Sequence, residues 1–249
     1  MQIQVYESTE LQIIAAADLL LDIATEAISK RDRFSLVLSG GATPVPLYRR
    51  LTEPPYSESV RWQKAQIFWG DERCVLPTNS ESNFGQASAL LLKPNQIRPN
   101  QIHRIQGELQ PRDAAKQYSA ELASFFRSAG EENLFDIVFL GLGADGHVAS
   151  LFPGSAAEEG SKEFALAVRA RYEGRPSDRV TMTARSLNRA RNVIVLVSGS
   201  EKSKAVYDAV HGEHDPLRYP AQRIKPATGE VYWILDREAG QKIQALRLD

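Results

Sequence analysis

A single cysteine, Cys74, is all the thiol the 249-residue chain carries. That excludes an internal disulfide framework and any cysteine-based zinc site, and it suits a reducing compartment. Neither sign of charge dominates, since 30 Lys+Arg stand against 31 Asp+Glu for a formal net charge of −1. Without a basic excess there is no footprint for gripping a nucleic-acid backbone or an anionic membrane, so any charged ligand must be met by local clusters. Long apolar runs are missing too. The most apolar stretch, Leu11 to Ile28, is broken by Asp18, Asp22 and Glu26 at four-residue intervals, which predicts a surface helix with one acidic stripe. The N-terminus MQIQVYESTE has no basic segment ahead of an apolar core and the last residues carry no lipidation signal, so the expectation is a cytoplasmic protein. Fixed-period repeats and low-complexity linkers are absent as well; the Pro-rich pieces TEPPYSES and GRPSD read as surface loops.

What is there is an ordinary globular composition, 43% hydrophobic and 24% charged. Short runs rich in Val, Ile and Phe alternate with helical patterns: IQVYE, FSLVLSGG, QIFWGDER, then SNFGQASALLL, and FDIVFLGLG after a helix from Pro111 to about Ala129. The same rhythm continues through RVTMTA, the helical turn SLNRA, NVIVLVSG, a helix from Glu201 to about Val210, and VYWILD before a last helix. FSLVL, DIVFLGL and NVIVLV are continuously apolar, as parallel strands covered on both sides are. The pattern predicts one doubly wound α/β domain over residues 1–249, a mostly parallel sheet with helices on both faces.

Ligands of such sheets bind outside the carboxyl ends of the strands. After FSLVL comes Ser39-Gly40-Gly41-Ala42-Thr43-Pro44, where the glycines permit a tight turn, Thr43 reads as an N-cap and Pro44 as the first helical residue. Backbone N–H groups and a helix N-terminus there suit a phosphate. After QIFW come Gly70-Asp71-Glu72-Arg73-Cys74, and a planar guanidinium at Arg73 can clamp an oxyanion, unless it simply pairs with Asp71 or Glu72. Cys74 has no evident base beside it and reads as a buried, inert thiol.

FDIVFLGLGADGHVASLFPG carries the strongest signal. A buried strand ends in Gly141, Gly143 and Gly146, interleaved with Asp145 and His147. Small residues let backbone approach a ligand, His147 titrates near neutrality, and Asp145 can fix its orientation. After NVIVLV, Ser198 and Glu201 are spaced like a capping box, while Lys202 in the first turn opposes the helix dipole, a conflict that a bound anion resolves. His211-x-x-His214, beside Glu213 and Asp215, has metal-ligand spacing, but Gly212 and Pro216 make it a loop with no evident fourth ligand, and no metal is expected. From residues alone, the reading is a cytosolic enzyme that binds a small phosphorylated molecule through the Gly loop, Arg73 and Lys202, with His147 as acid/base.

The blocks LSGGATPVPLY, WGDERCVLPTNSESNFG, FLGLGADGHVASLFPGS, RVTMTARSLNRARNVIVLVSGSEKSKAV and PAQRIKP with VYWILD resemble the 6-phosphogluconolactonases of the glucosamine-6-phosphate isomerase/6-phosphogluconolactonase family, in order over nearly the whole chain. The resemblance implies a Rossmann-like fold and hydrolysis of 6-phosphogluconolactone to 6-phosphogluconate in the oxidative pentose phosphate pathway, with no metal or organic cofactor. It implies His147 as the base, with Arg73 and Lys202 at the phosphate; Arg179 and Arg223 are further candidates for phosphate or sugar contacts. The alternative is an amino-sugar-phosphate deaminase or isomerase of the same fold. In those enzymes the stretch after the histidine typically leads into Asn-Glu-Pro, whereas Phe152 stands here at the Glu position, and an apolar side chain cannot carry that proton transfer. Two departures from the family pattern are Ala42, where Ser is common, and the loop Tyr172-Glu173-Gly174-Arg175-Pro176, which replaces a more Lys/Pro-rich one.

Overall fold

The computed structural model describes residues 1–128, 135–155, 161–170 and 174–245. Its strands are β1 (Gln2–Tyr6), β2 (Phe34–Leu38), β3 (Ala65–Trp69), β4 (Asp71–Arg73), β5 (Ile102–His103), β6 (Ile137–Leu140), β7 (Ala165–Arg169), β8 (Asp178–Met182), β9 (Asn192–Val197) and β10 (Glu230–Asp236). Seven of them form one sheet in the order β1-β10-β9-β6-β2-β3-β5, and every neighbouring pair is parallel. All residues of β2 and β6 are buried, which is why their sequences are apolar throughout instead of alternating.

From β2 the chain winds outward through β3 and β5, then returns to the other side of β2 as β6 and winds away through β9 and β10. The order therefore reverses between β2 and β6, and that switch point opens a crevice at the strands' carboxyl ends. The loops that follow β2 and β6 are the two glycine-rich segments singled out in the sequence.

The helix Thr9–Arg31 starts where the Ser8 hydroxyl accepts from Leu11 N at 3.2 Å and stops at Asp32 in the left-handed region (φ 55°). Ile13, Ala16, Ala17, Leu20, Ile23 and Ala24 are buried on one face, while Asp18, Asp22 and Glu26 stay exposed on the other, as the acidic stripe requires. The helix Pro111–Ser128 follows its predicted start; Ala129 lies outside the described residues. Among the described residues, no helix is long and apolar enough to cross a membrane.

Several local expectations need correction. QIFWGDER holds the expected strand QIFW and, beyond it, a second strand, β4, that the sequence does not mark. The two divide at Gly70, whose N–H bonds back to Leu38 O (2.9 Å) while its carbonyl accepts from Met182 N (2.7 Å), so that β4 leaves the parallel sheet. RVTMTA likewise does not extend the doubly wound sheet, because β8 pairs antiparallel with both β4 and β7 in a separate three-stranded sheet. Two short strands, β5 and β7, have no counterpart in the sequence reading. SNFGQASALLL is the helix Asn83–Ala87 continued by a wider π-helical turn, Ser88–Leu92.

Candidate active site

A cavity of about 820 Å³ sits over the switch point. Its walls are the Ser39–Thr43 turn after β2, Asp71 and Arg73 of β4, Asn83, the Gly141–His147 loop after β6, Arg175 and Arg179 at the approach to β8, and Ser198, Glu201 and Lys202 after β9. Gly40, Gly41, Thr43, Arg73, Asp145, His147, Arg179 and Lys202, the site residues expected from the sequence, all line it.

The loop after β6 is a closed turn. Gly143 N donates to His147 O (2.8 Å) and Gly146 N to Gly143 O (2.9 Å), with Gly146 at φ 86°. The turn folds the His147 ring back so that Nδ1 lies 2.6 Å from Asp145 Oδ1, which also accepts from His147 N at 3.2 Å. Gly143 is essential to this geometry, since a Cβ there would lie 2.0 Å from His147 Nδ1 and 2.5 Å from Asp145 Oδ1. The Phe152 ring stands 5.1 Å from the His147 ring, and the Arg179 guanidinium 5.8 Å from the Phe152 ring, which places an apolar face between the base and that cation.

Arg73 and Arg179 are buried and directly opposite one another in the antiparallel β4–β8 pair. Like charges in that register repel, and Glu81 beside Arg73 offsets part of that repulsion. Arg73 Nη1 donates to Glu81 O (2.5 Å) and lies 3.4 Å from Glu81 Oε2, while its Nε is buried with no hydrogen-bond partner among the described residues. Lys202 has no ion pair among the described residues although it lines the same cavity.

Buried polar groups under this wall hold it in place. Ser150 Oγ donates to Asp71 Oδ2 (2.5 Å), and Asn83 Nδ2 donates to Asp71 O (2.9 Å). Glu72 accepts from the backbone N–H groups of Arg73, Asn83 and Phe84 and from the Ser82 hydroxyl. Burial nonetheless raises its carboxyl above the usual carboxylate range, and those four donors pull the other way. Burial, reinforced by the Asp178 and Glu72 carboxylates, pushes the Cys74 thiol up to about 11, so the thiol stays protonated near neutrality.

Some local readings change. Thr43 is not an N-cap: Val45 N bonds to Ala42 O (3.2 Å), which makes Thr43 and Pro44 the middle of a turn, and the helix Val45–Arg50 begins after them without a side-chain cap. Ser198 and Glu201 do not form a capping box, because the Ser198 hydroxyl donates to Gln12 Oε1 (2.8 Å) and the chain passes through a 3₁₀ turn, Ser200–Lys202, before the helix Ser203–Val210. Arg223 is outside the cavity lining; its Nε donates to Pro216 O (2.8 Å) and it reaches Ser155 O (3.3 Å). Of the divergent loop, Tyr172 and Glu173 lie outside the described residues, while Arg175 reaches the cavity. Sequence reasoning missed Asn83 and Arg175 as wall residues. No linear signal marks Asn83, which arrives by burial against Asp71, whereas a basic residue just before the strand of Arg179 could have marked Arg175. Among the described residues, no group of three His, Cys, Asp or Glu side chains is placed to hold a metal ion.

A model of the family described as Glucosamine-6-phosphate isomerases/6-phosphogluconolactonase matches residues 7–233. A 6-phosphogluconolactonase of Synechocystis sp. is 37% identical over 246 residues, covering 98% of each chain, and a probable 6-phosphogluconolactonase of Arabidopsis thaliana is 32% identical over 99% of this chain and 95% of that protein. The solved 6-phosphogluconolactonase of Trypanosoma brucei superposes with a TM-score of 0.83 at 28% identity, over 97% of this chain and 98% of that one. A monomeric glucosamine-6-phosphate deaminase reaches a TM-score of 0.82 over 97% and 99% of the two chains, but at 21% identity it shares the fold alone.

Proposed function

Since the chain belongs to the glucosamine-6-phosphate isomerase/6-phosphogluconolactonase family, we propose that it is a hydrolase that opens 6-phosphogluconolactone to 6-phosphogluconate, in the cytoplasm and within the oxidative pentose phosphate pathway. The observation that carries this reading is the 2.6 Å contact of His147 Nδ1 with Asp145, in a cavity whose walls also hold Arg73, Arg179 and Lys202. With Asp145 accepting from Nδ1–H, the His147 lone pair resides on Nε2. Nε2 takes a proton from a water that attacks the lactone carbonyl, and a tetrahedral oxyanion forms. Gly143 and Gly146 have committed their N–H groups within the turn, so other N–H groups of the glycine-rich turns that line the cavity stabilise the oxyanion. The imidazolium then protonates the departing ring oxygen, which restores the base with no covalent intermediate. The Gly40–Gly41–Thr43 turn, Arg73, Arg179 and Lys202 hold the phosphate. A positioned base contributes ~10²–10⁴-fold and an oxyanion donor ~10²–10³-fold, which together suffice for an ester as reactive as a sugar lactone.

Phe152 argues against the deaminase alternative. Its ring borders the His147 ring and has no proton to exchange with a sugar. The test follows acid release from freshly generated 6-phosphogluconolactone, with ammonia release from glucosamine 6-phosphate run in parallel. Lactone hydrolysis well above the spontaneous rate, unaffected by chelator and without ammonia release, is the predicted result. Ammonia release, or no acceleration of lactone opening, would contradict it.

A further inference from the structure

Lys202 is reached by a turn whose geometry is set from outside the cavity. Gln12, on the helix Thr9–Arg31, is fully buried although its neighbours on that face are Ile13, Ala16 and Leu20. Its amide bridges two neighbouring strands, β9 and β10: Nε2 donates to Val197 O and to Ile234 O, both at 2.7 Å, and Oε1 accepts from the Ser198 hydroxyl at 2.8 Å. Asp236, also buried, continues the latch. Its carboxylate accepts from Gly199 N (3.1 and 3.2 Å), from Ala239 N (2.8 Å) and from Thr9 Oγ1 (3.1 Å). Ser198 and Gly199 are thus fixed one after the other, Gly199 at φ 98°, and the next three residues are the turn that ends at Lys202. An apolar side chain would suit the burial of position 12 better, but it would leave the two carbonyls and the Ser198 hydroxyl without this partner.

We propose that Gln12 is a positioning residue that sets affinity for the phosphorylated substrate by holding the Ser198–Lys202 turn, so that the Lys202 ammonium meets the phosphate. This rests on the reading above in which Lys202 binds the substrate phosphate. Ordering that turn before binding removes a cost that would otherwise weaken the complex.

The experiment measures 6-phosphogluconate binding by calorimetry for the intact protein, Gln12→Met, Lys202→Ala and the double variant, with each Tm recorded. Gln12→Met should bind roughly fivefold more weakly, the scale of about one lost hydrogen bond. In the Lys202→Ala background, Gln12→Met should add less than about twofold, while its Tm loss is the same in both backgrounds. Equal weakening in the two backgrounds would overturn the proposal, because a merely structural role predicts additivity. Should Gln12→Met fail to fold, Ser198→Ala removes the hydroxyl end of the latch, and because Ser198 also lines the cavity it is measured in both backgrounds: several-fold weakening that vanishes in Lys202→Ala supports the proposal, and equal weakening in both or unchanged binding overturns it. If the unaltered protein neither binds 6-phosphogluconate nor opens the lactone, the functional reading itself fails. If it binds and Lys202→Ala has no effect, it is the route through Lys202 that fails.

Discussion

At the scale of single residues, the site depends on what its glycines leave empty. The sequence suggests that Gly143 admits a ligand close to backbone, whereas in the structure it makes room for the protein's own imidazole. Gly143→Ala should therefore separate His147 from Asp145 and lower kcat by about 10²-fold, within the range of a lost general base, in a protein that still folds. A kcat within about threefold of the original, with the Tm held, would show that the His147–Asp145 contact is dispensable. Gly40 has a comparable role across the cavity, where a Cβ would meet Asn83 Oδ1 at 1.9 Å. The turn after β2 and the wall beyond β4 can touch only because that position lacks a side chain.

At the scale of elements, the helix Thr9–Arg31 separates packing from decoration. Leu20 is fully buried and Asp22 exposed two residues on. Leu20→Ala should cost about 2–5 kcal/mol in a denaturant titration, while Asp22→Ala should stay within about 0.5 kcal/mol. Similar losses for both would refute the helix's assigned inward face. The elements that were legible from sequence are those whose burial is written locally: the apolar runs of β2, β6 and β9, and the three-to-four spacing along this helix. The second sheet was not legible, because β4 pairs with β8 more than a hundred residues further along the chain, and only that pairing distinguishes β4, β7 and β8 from strands of the main sheet. The same limit applied to the site. The glycine turns, His147 with Asp145, Arg73 and Lys202 are marked by their places after apolar runs, whereas Arg179 heads the strand RVTMT and is a candidate only beside the family resemblance; the Gln12 and Asp236 latch is non-local, and nothing near either residue in sequence announces it. Thr43 and Ser198 have the composition of helix caps, yet turn geometry at Ala42–Val45 and the pull of Gln12 override that local preference.

At the scale of the whole molecule, a net charge of −1 is the sum of charges that are grouped locally. Arg73, Arg175, Arg179 and Lys202 share one cavity with Asp71, Asp145 and Glu201, and two of those carboxylates are held by hydrogen bonds, Asp145 with His147 and Asp71 with Ser150 and Asn83. On the proposed function, those cations draw a dianionic phosphate to the cavity. The Debye length falls from ~10 Å at 0.1 M salt to ~3 Å at 1 M, so kcat/KM for the phosphorylated lactone should fall several-fold over that range while an uncharged lactone shows no such decline. Equal salt dependence for the two substrates would remove the cationic cluster from its role. The central claim is that His147 activates the water that opens the lactone, and it is tested most directly by the turnover of His147→Ala on 6-phosphogluconolactone, measured beside its affinity for 6-phosphogluconate. A kcat lower by about 10²–10⁴-fold with affinity retained is the predicted result, and a kcat near that of the unaltered protein would contradict it.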